Sequence, residues 1–381
     1  MVRVGVKPTL LEWARDRSGR SAAEVSKRFP KYLDWLGGTA QPTLKQLEQF
    51  AKVTYTPFGY LLLAEPPPDS LPIPDLRSIQ NRALTRPSPG LLETIHTCER
   101  RQAWYRTFAS MNREERRTFV GSAQVDGNPA ALAARIRSAL RFEVEDRRSL
   151  QDTEVTLREL IQRAEALGVL VMCSGIVGTN TARKLDVEEF RGFALVDDLA
   201  PLVFVNARDA RSAQVFTLVH ELAHLWIGEP GVSNDVPISA PTTKVERYCN
   251  AVAAEVLAPR AAVLARVSAR DDPDQAAQRL AREFKISRLV AWIRLHELGI
   301  VTRERMQAGY QQELERQRPR RTESGGDFHR THALRMGRRF ATALIIDALE
   351  GNTLQRDALR LLGISKPKTL HHFAASLGIA S

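Results

Sequence analysis

In the stretch VFTLVHELAHLW, residues 215–226, two histidines and a glutamate interrupt an otherwise apolar run. His220 and His224 stand four residues apart, about 400° of rotation on a helix, so both imidazoles lie on one face and can share a cation. Glu221 points about 100° away from His220. It sits beside such a cation without ligating it, where a carboxylate can hold a water and take its proton. The chain has eight histidines, and chance alone would produce H-E-x-x-H with a probability on the order of one percent. The surroundings add weight: Val215, Leu218, Val219, Leu222, Ala223 and Trp226 make the helix apolar on most sides. Two imidazoles and a carboxylate buried there unsatisfied would cost several kcal/mol. A metal ion would satisfy them. Zinc suits such donors, taking three protein ligands and leaving a fourth position open.

A third ligand is sought in KVERYCNAVAAEVLAP, which reads as a second helix stopped by Pro259. Glu246 and Glu255 are nine residues apart, about 900°, so they face opposite sides and cannot both reach one metal. Glu246 shares its face with Asn250, a polar neighbour able to orient a ligand, and more loosely with Cys249. Cys249 is a rival donor, although a buried thiol also packs as a small hydrophobe. Glu255, just before the proline stop, reads as a surface or salt-bridged residue. The set expected is therefore His220, His224 and Glu246 on the metal, Asn250 behind them, and Glu221 as the base.

HELAHLW followed by VERYCNAVAAEVLAP resembles the ImmA/IrrE family of metallopeptidases, the phage-repressor-cleaving and radiation-response proteases of bacteria. With RGFALVDDLAPLVFVNARDA ahead of it, the resembling segment covers about a third of the chain. The resemblance implies that His220, His224 and Glu246 bind zinc and that Glu221 is the general base. It implies as substrate a repressor or similar DNA-binding protein, cut at one exposed site. Ala258 stands where methionine is common, a conservative departure. A substrate segment could add as an extra strand to an exposed edge such as Phe190–Val196, setting its scissile bond over the metal.

The elements that must position these residues follow from periodicity and punctuation. LRELIQRAEALGVLVMCSG reads as a helix, a glycine stop and a strand, and RGFALVDDLAPLVFVNA as two strands joined by an Asp-rich turn. Ser88 to Arg148 is helical in period. EPPPDSLPIPDLR carries five prolines between Pro66 and Pro74; it is a linker or a strapped extended segment, because proline removes donors and forces its neighbours to extend. The first 64 residues read as short helices capped by Ser21 and Thr43. With the QPTLKQLEQFAK run they resemble an XRE-type, phage-repressor-like helix-turn-helix. Only PKYLD separates Phe29 from Trp35, so the recognition helix is shortened, and docking to a partner or to itself competes with DNA contact; no DNA-touching residue is assigned. AQRLAREFKISRLVAWIRLHELGI and LQRDALRLLGISKPKTLHHFAAS also have a helix-turn-helix shape and are expected as packing elements. Arg316, Arg318, Arg320, Arg321, Arg338 and Arg339 are candidate phosphate contacts. The tail histidines, His329, His332, His371 and His372, lack a ligand spacing.

The class expected is α+β and mostly helical. Residues 1–64 form a helix-turn-helix bundle, 65–87 a Pro-rich linker, and 88–310 a zincin-like metallopeptidase domain with a small sheet (core 151–265, helix-turn-helix-like extension 274–300). Residues 311–330 form a flexible linker and 331–381 a small helical C-terminal domain. At 43% apolar and 26% charged the 381 residues compose a soluble globular chain, and no apolar run approaches the ~20 residues of a membrane span. Cys98, Cys173 and Cys249 are widely spaced without a C-x-x-C pair, and no apolar leader precedes them, which points to the cytoplasm. A net charge of +11 suits a polyanionic partner such as double-stranded DNA. The function expected is a zinc endopeptidase fused to a DNA-binding regulator domain, cutting a repressor or antitoxin-like protein and so controlling transcription, with a second copy of the chain as a further partner. The rival is a non-proteolytic regulator or antitoxin with a structural or vestigial zinc site, against which the intact Glu221 speaks. His296, Tyr248 and Tyr310 are candidates for stabilising an oxyanion.

Overall fold

Short helices begin where the sequence supplies caps. α1 (Pro8–Arg17) opens on a proline, which has no amide to leave unpaired there. α2 (Ala22–Arg28) opens on a capping box: Ser21 Oγ accepts from the Glu24 amide at 3.2 Å while Glu24 accepts from the Ser21 amide at 2.8 Å. α3 (Tyr32–Leu36) follows, and Thr43 and Gln46 repeat the box ahead of α4 (Leu44–Val53). Phe29, Tyr32, Trp35 and Phe50 form one aromatic cluster, with Tyr32 stacked on Phe50 at 5.7 Å between centroids. A 3-10 turn, Phe58–Leu62, adds Leu61 to that core. α3 is five residues long and gives Tyr32 and Trp35 to the core.

A computed structural model describes residues 2–68, 70–76, 78–79, 82–83, 87–233, 243–268, 270–316 and 328–379. Contacts divide it into two units, Met1–Pro72 with Thr85–Ile95 and Ile73–Leu84 with His96–Ser381. The second unit contains a two-stranded pair, β1 (Ser78–Ile79) and β2 (Arg82–Ala83), and α5 (Pro89–Met111) from His96 onward. After α6 (Pro129–Leu140), α7 (Thr153–Ala166) ends before Gly168, whose φ of +94° lets the chain reverse into β3 (Leu170–Ser174). β4 (Gly192–Leu195) and β5 (Leu202–Asn206) form a hairpin, and Asp197 accepts from the amides of Leu199 and Ala200 to shape its turn. α8 (Arg211–Ile227) carries the histidines, and β6 (Gly231–Ser233) follows it at once.

The sheet has the order β3–β5–β4–β6, with β3 parallel to β5 and the other pairs antiparallel. Alternate residues therefore split between two faces. Val171, Ala194, Val203 and Val205 join the core that contains α8, while Phe193 stacks on Phe204 on the opposite face, 4.9 Å between centroids. Phe190–Val196 was expected as an exposed edge. It is interior, because β4 pairs on both sides, and the burial of all four β4 residues on a sheet covered on both faces leaves no room for an added strand.

α9 (Lys244–Leu257) packs on α6 and α8, followed by α10 (Arg260–Leu264). α11 (Pro273–Phe284), α12 (Arg288–Glu297) and α13 (Arg303–Arg316) come next; Leu280, Phe284 and Trp292 enter the same core as α8. α14 (Phe328–Met336) lies along β3, and α15 (Arg338–Leu349), α16 (Gln355–Leu362) and α17 (Pro367–Ser376) complete the unit. Two of the candidate phosphate contacts are engaged internally. Arg339 donates to Tyr105 Oη at 2.8 Å and Glu114 at 2.9 Å, and Arg338 to the Leu377 carbonyl at 3.2 Å. Arg318, Arg320, Arg321 and the Arg316 side chain lie outside the described residues. Among the described residues no helix is long and apolar enough to cross a membrane.

Candidate metal centre

From Gln214 to Ile227 every residue of α8 is buried, because sheet, α7 and α9 enclose the helix. Its two polar faces are answered by neighbours. Thr243 caps α9, accepting from the Glu246 amide at 3.1 Å, and so sets Glu246 in the first turn against α8. There His220 Nε2 lies 3.2 Å from Glu246 Oε2, His224 Nε2 3.2 Å from Glu246 Oε1, and the two Nε2 atoms 3.2 Å from each other. These side chains are 4%, 0% and 0% exposed respectively.

The far side of each ring is already engaged. His220 Nδ1 meets Asn250 Oδ1 at 2.9 Å, and His224 Nδ1 meets the Glu229 carbonyl at 2.9 Å. The Glu229 carbonyl can only accept, so His224 Nδ1 carries the proton; Asn250, with Oδ1 turned to the ring, sets His220 the same way, and each neutral ring then turns an Nε2 lone pair inward. Two lone pairs and a carboxylate then converge with no hydrogen between them: neither oxygen of Glu246 accepts a hydrogen bond among the described residues. A cation resolves this. Ligands about 2.0–2.1 Å from zinc at the tetrahedral angle stand about 3.3–3.4 Å apart, close to the three separations of 3.2 Å. The donor set, two imidazoles and a carboxylate, fits such an ion.

Without a cation, protons must serve instead. Burial opposes charge on His220, but the Glu246 carboxylate outweighs it and raises the imidazole above its ordinary value. His224 is raised further, against the same burial, by Cys249 and Glu246. Glu246 is correspondingly held below the carboxylate range, the two histidines overcoming its desolvation. Protons and a metal thus compete for the same two nitrogens.

Glu221 projects toward the strands. Its Oε1 accepts from Ser233 Oγ of β6, whereas Oε2 has no hydrogen-bond partner among the described residues. Burial raises its pKa, with the two histidines pulling the other way. Gly192 makes the fit possible: a Cβ there would stand 2.8 Å from Glu221 Oε1, 2.7 Å from Thr217 Cγ2 and 2.9 Å from the Phe204 carbonyl. Glu255 lies away from the trio in an ion pair with Arg294, and its other oxygen accepts from the Arg260 amide at 3.1 Å. Cys249 is fully buried beside His224. The oxyanion candidates are elsewhere: His296 faces the Val301 carbonyl at 3.2 Å, Tyr310 lies near Arg191 and Asp209, and the Tyr248 hydroxyl is beside Gly127.

Ser233, Gly192 and the Glu229 carbonyl escaped sequence reading. A glycine inside the strand RGFAL does signal close backbone approach; the other two carry no local sign.

The centre is a buried pair of facing helices, an H-E-x-x-H helix and a glutamate helix, beneath a small mixed sheet. Residues 164–296, which contain the whole constellation, match the family described as the IrrE N-terminal-like domain, a peptidase family. Residues 336–376 match a domain of unknown function, DUF8813. Searches among curated proteins and among solved structures returned no match. The first match supports the ImmA/IrrE resemblance for this segment and a peptidase-type function.

Proposed function

We propose that the chain is a zinc-dependent endopeptidase that cuts a repressor or antitoxin-like protein. His220, His224 and Glu246 hold the ion, and Glu221 is the general base. The observation that carries this is the convergence of His220 Nε2, His224 Nε2 and the buried Glu246 carboxylate at 3.2 Å from one another, with no hydrogen bond to that carboxylate among the described residues. When bound, zinc would polarise the scissile carbonyl and bring the pKa of a water to about 7. Asn250 and the Glu229 carbonyl hold the ring tautomers that binding requires. Ser233 anchors Glu221 Oε1 and leaves Oε2 to receive a proton. Burial raises this carboxylate above its ordinary value against the pull of the two histidines, the direction that makes it a stronger base. A site with a purely structural ion has no use for Glu221. For residues 1–64 we propose the regulatory role of the helix-turn-helix resemblance. The five-residue α3 exposes Lys31, Leu33 and Asp34 on and beside it, a mixed cationic, apolar and anionic surface that suits contact with a protein; Lys31 alone of the three could meet a phosphate.

The test is zinc content by elemental analysis together with cleavage of a co-expressed repressor-type partner. Glu221→Gln should keep zinc and lose cleavage, and His220→Ala should lose both. A Glu221→Gln protein that cuts at the wild-type rate would refute the assignment.

A further inference from the structure

The sheet's outer edge on the side of Glu221 is β6, and the chain covers it with its own proline-rich segment. The Leu76 amide donates to the Val232 carbonyl at 3.1 Å and the Val232 amide to the Pro74 carbonyl at 3.1 Å, with Asp75 opposite Val232 in parallel register. Pro74 needs only its carbonyl there, so its missing amide costs the pairing nothing. One side chain is seated: the position a Cβ would take on Gly231 is 2.3 Å from Leu76 Cδ1 and 3.0 Å from its Cγ, so the glycine forms a notch that the leucine fills. Two residues on, Ser233 holds Glu221, and the parallel register directs the strap toward that end of β6.

We propose that this edge is a receptor for an extended peptide with a leucine-like side chain, and that Pro74–Leu76 is its built-in occupant, displaced when a segment of a protein partner takes its place. Backbone pairing tolerates any extended sequence, while the Gly231 notch selects the side chain. A tethered strap competes as a ligand at about millimolar effective concentration, enough to keep weak peptides from an edge next to Glu221. The partner's identity as substrate rests on the peptidase reading; the occupancy of the edge does not.

The experiment uses full-length protein carrying Glu221→Gln, to prevent turnover, with and without Leu76→Ala, and a labelled peptide SLPIPDLR matching residues 70–77. Binding is read by fluorescence anisotropy and the Val232 amide by hydrogen exchange. The peptide should bind the Leu76→Ala protein at least tenfold more tightly, and the Val232 amide should exchange faster in that variant and slow again when peptide is added. Leu76→Val should show the same changes in smaller measure, which covers the case in which the alanine variant does not fold. Equal affinity in both backgrounds, or no binding to either with Val232 exchange unchanged, overturns the proposal. If binding behaves as expected but protein with Glu221 intact and zinc loaded cuts no partner, the edge receptor stands and the peptidase reading falls.

Discussion

Asn250→Leu isolates the tautomer argument. In the wild type the His220 Nδ1 proton is satisfied by Asn250 Oδ1 at 2.9 Å, on a residue only 3% exposed. Leucine has nearly the shape of asparagine but accepts nothing. The metal-free variant has an escape, because its ring can move the proton to Nε2 and donate to Glu246 Oε2, 3.2 Å away. The metal-bound variant has none: Nε2 must ligate, and a buried N–H is left unsatisfied at about 1–3 kcal/mol. Metal binding therefore bears the whole difference, a loss of about 5–150-fold in zinc affinity, which agrees with the 10–100-fold typical of removing a ligand's orienting partner. Alanine would be a poorer choice, since the cleft of about 20 Å³ beside Phe216, Asn250 and Ala254 would enlarge and admit a water in the asparagine's place. The assay is competition for zinc against a chelator of known affinity at pH 7.5. Asn250→Asp, which keeps an acceptor, should retain wild-type affinity or better. Unchanged affinity in Asn250→Leu, or equal losses in the leucine and aspartate variants, would show that His220 does not bind through Nε2 with Asn250 behind it.

Gly192→Ala places a Cβ against the Phe204 carbonyl and Glu221; thermal unfolding should show a loss of about 1–3 kcal/mol, with zinc retained and cleavage reduced. Stripping zinc should lower stability by about 4 kcal/mol from a state with zinc at a thousand times its Kd, seen as a fall in Tm on the order of 10 °C. Because both imidazoles bind protons more tightly in the folded apoprotein than in the unfolded chain, they stabilise the apoprotein at low pH and that contribution fades as pH rises. The zinc increment should grow with pH over the same range, and calorimetry of stripped and loaded protein from pH 6 to 8.5 reads both trends. Glu165, only 8% exposed, accepts from the Arg339 amide at 3.0 Å, and burial pushes its pKa up to about 7. Its contribution is full below the unfolded value near 4.5 and lost as pH rises through 7, an amount of at most about 3 kcal/mol. Glu165→Gln should match the wild type near pH 4.5 and become relatively more stable by pH 8, and parallel denaturant curves would sink the idea.

Much of the centre was legible because its grammar is local. The four-residue histidine spacing puts both rings on one helix face under any tertiary arrangement, and the nine-residue spacing of Glu246 and Glu255 separates them by half a turn. The helix, glycine stop and strand from α7 through Gly168 to β3, and the β4–β5 hairpin, were likewise written in periodicity and turn residues. EPPPDSLPIPDLR announced extended backbone through its prolines, but nothing local says which strand an extended segment will meet.

Pairing partners were decided only in three dimensions. β4 became interior because β6, three residues after a glycine-capped helix and too short to show a period, returned to its free side. Ser233 reaches Glu221 and Gly192 makes room for it only once that sheet order exists. The sequence alone determined which side chains could grip a cation, since helix rotation depends on residue count. The tertiary structure decided which acceptors stand behind the rings and what covers the edge beside them, since contacts between distant segments are selected by how all the buried surfaces pack together.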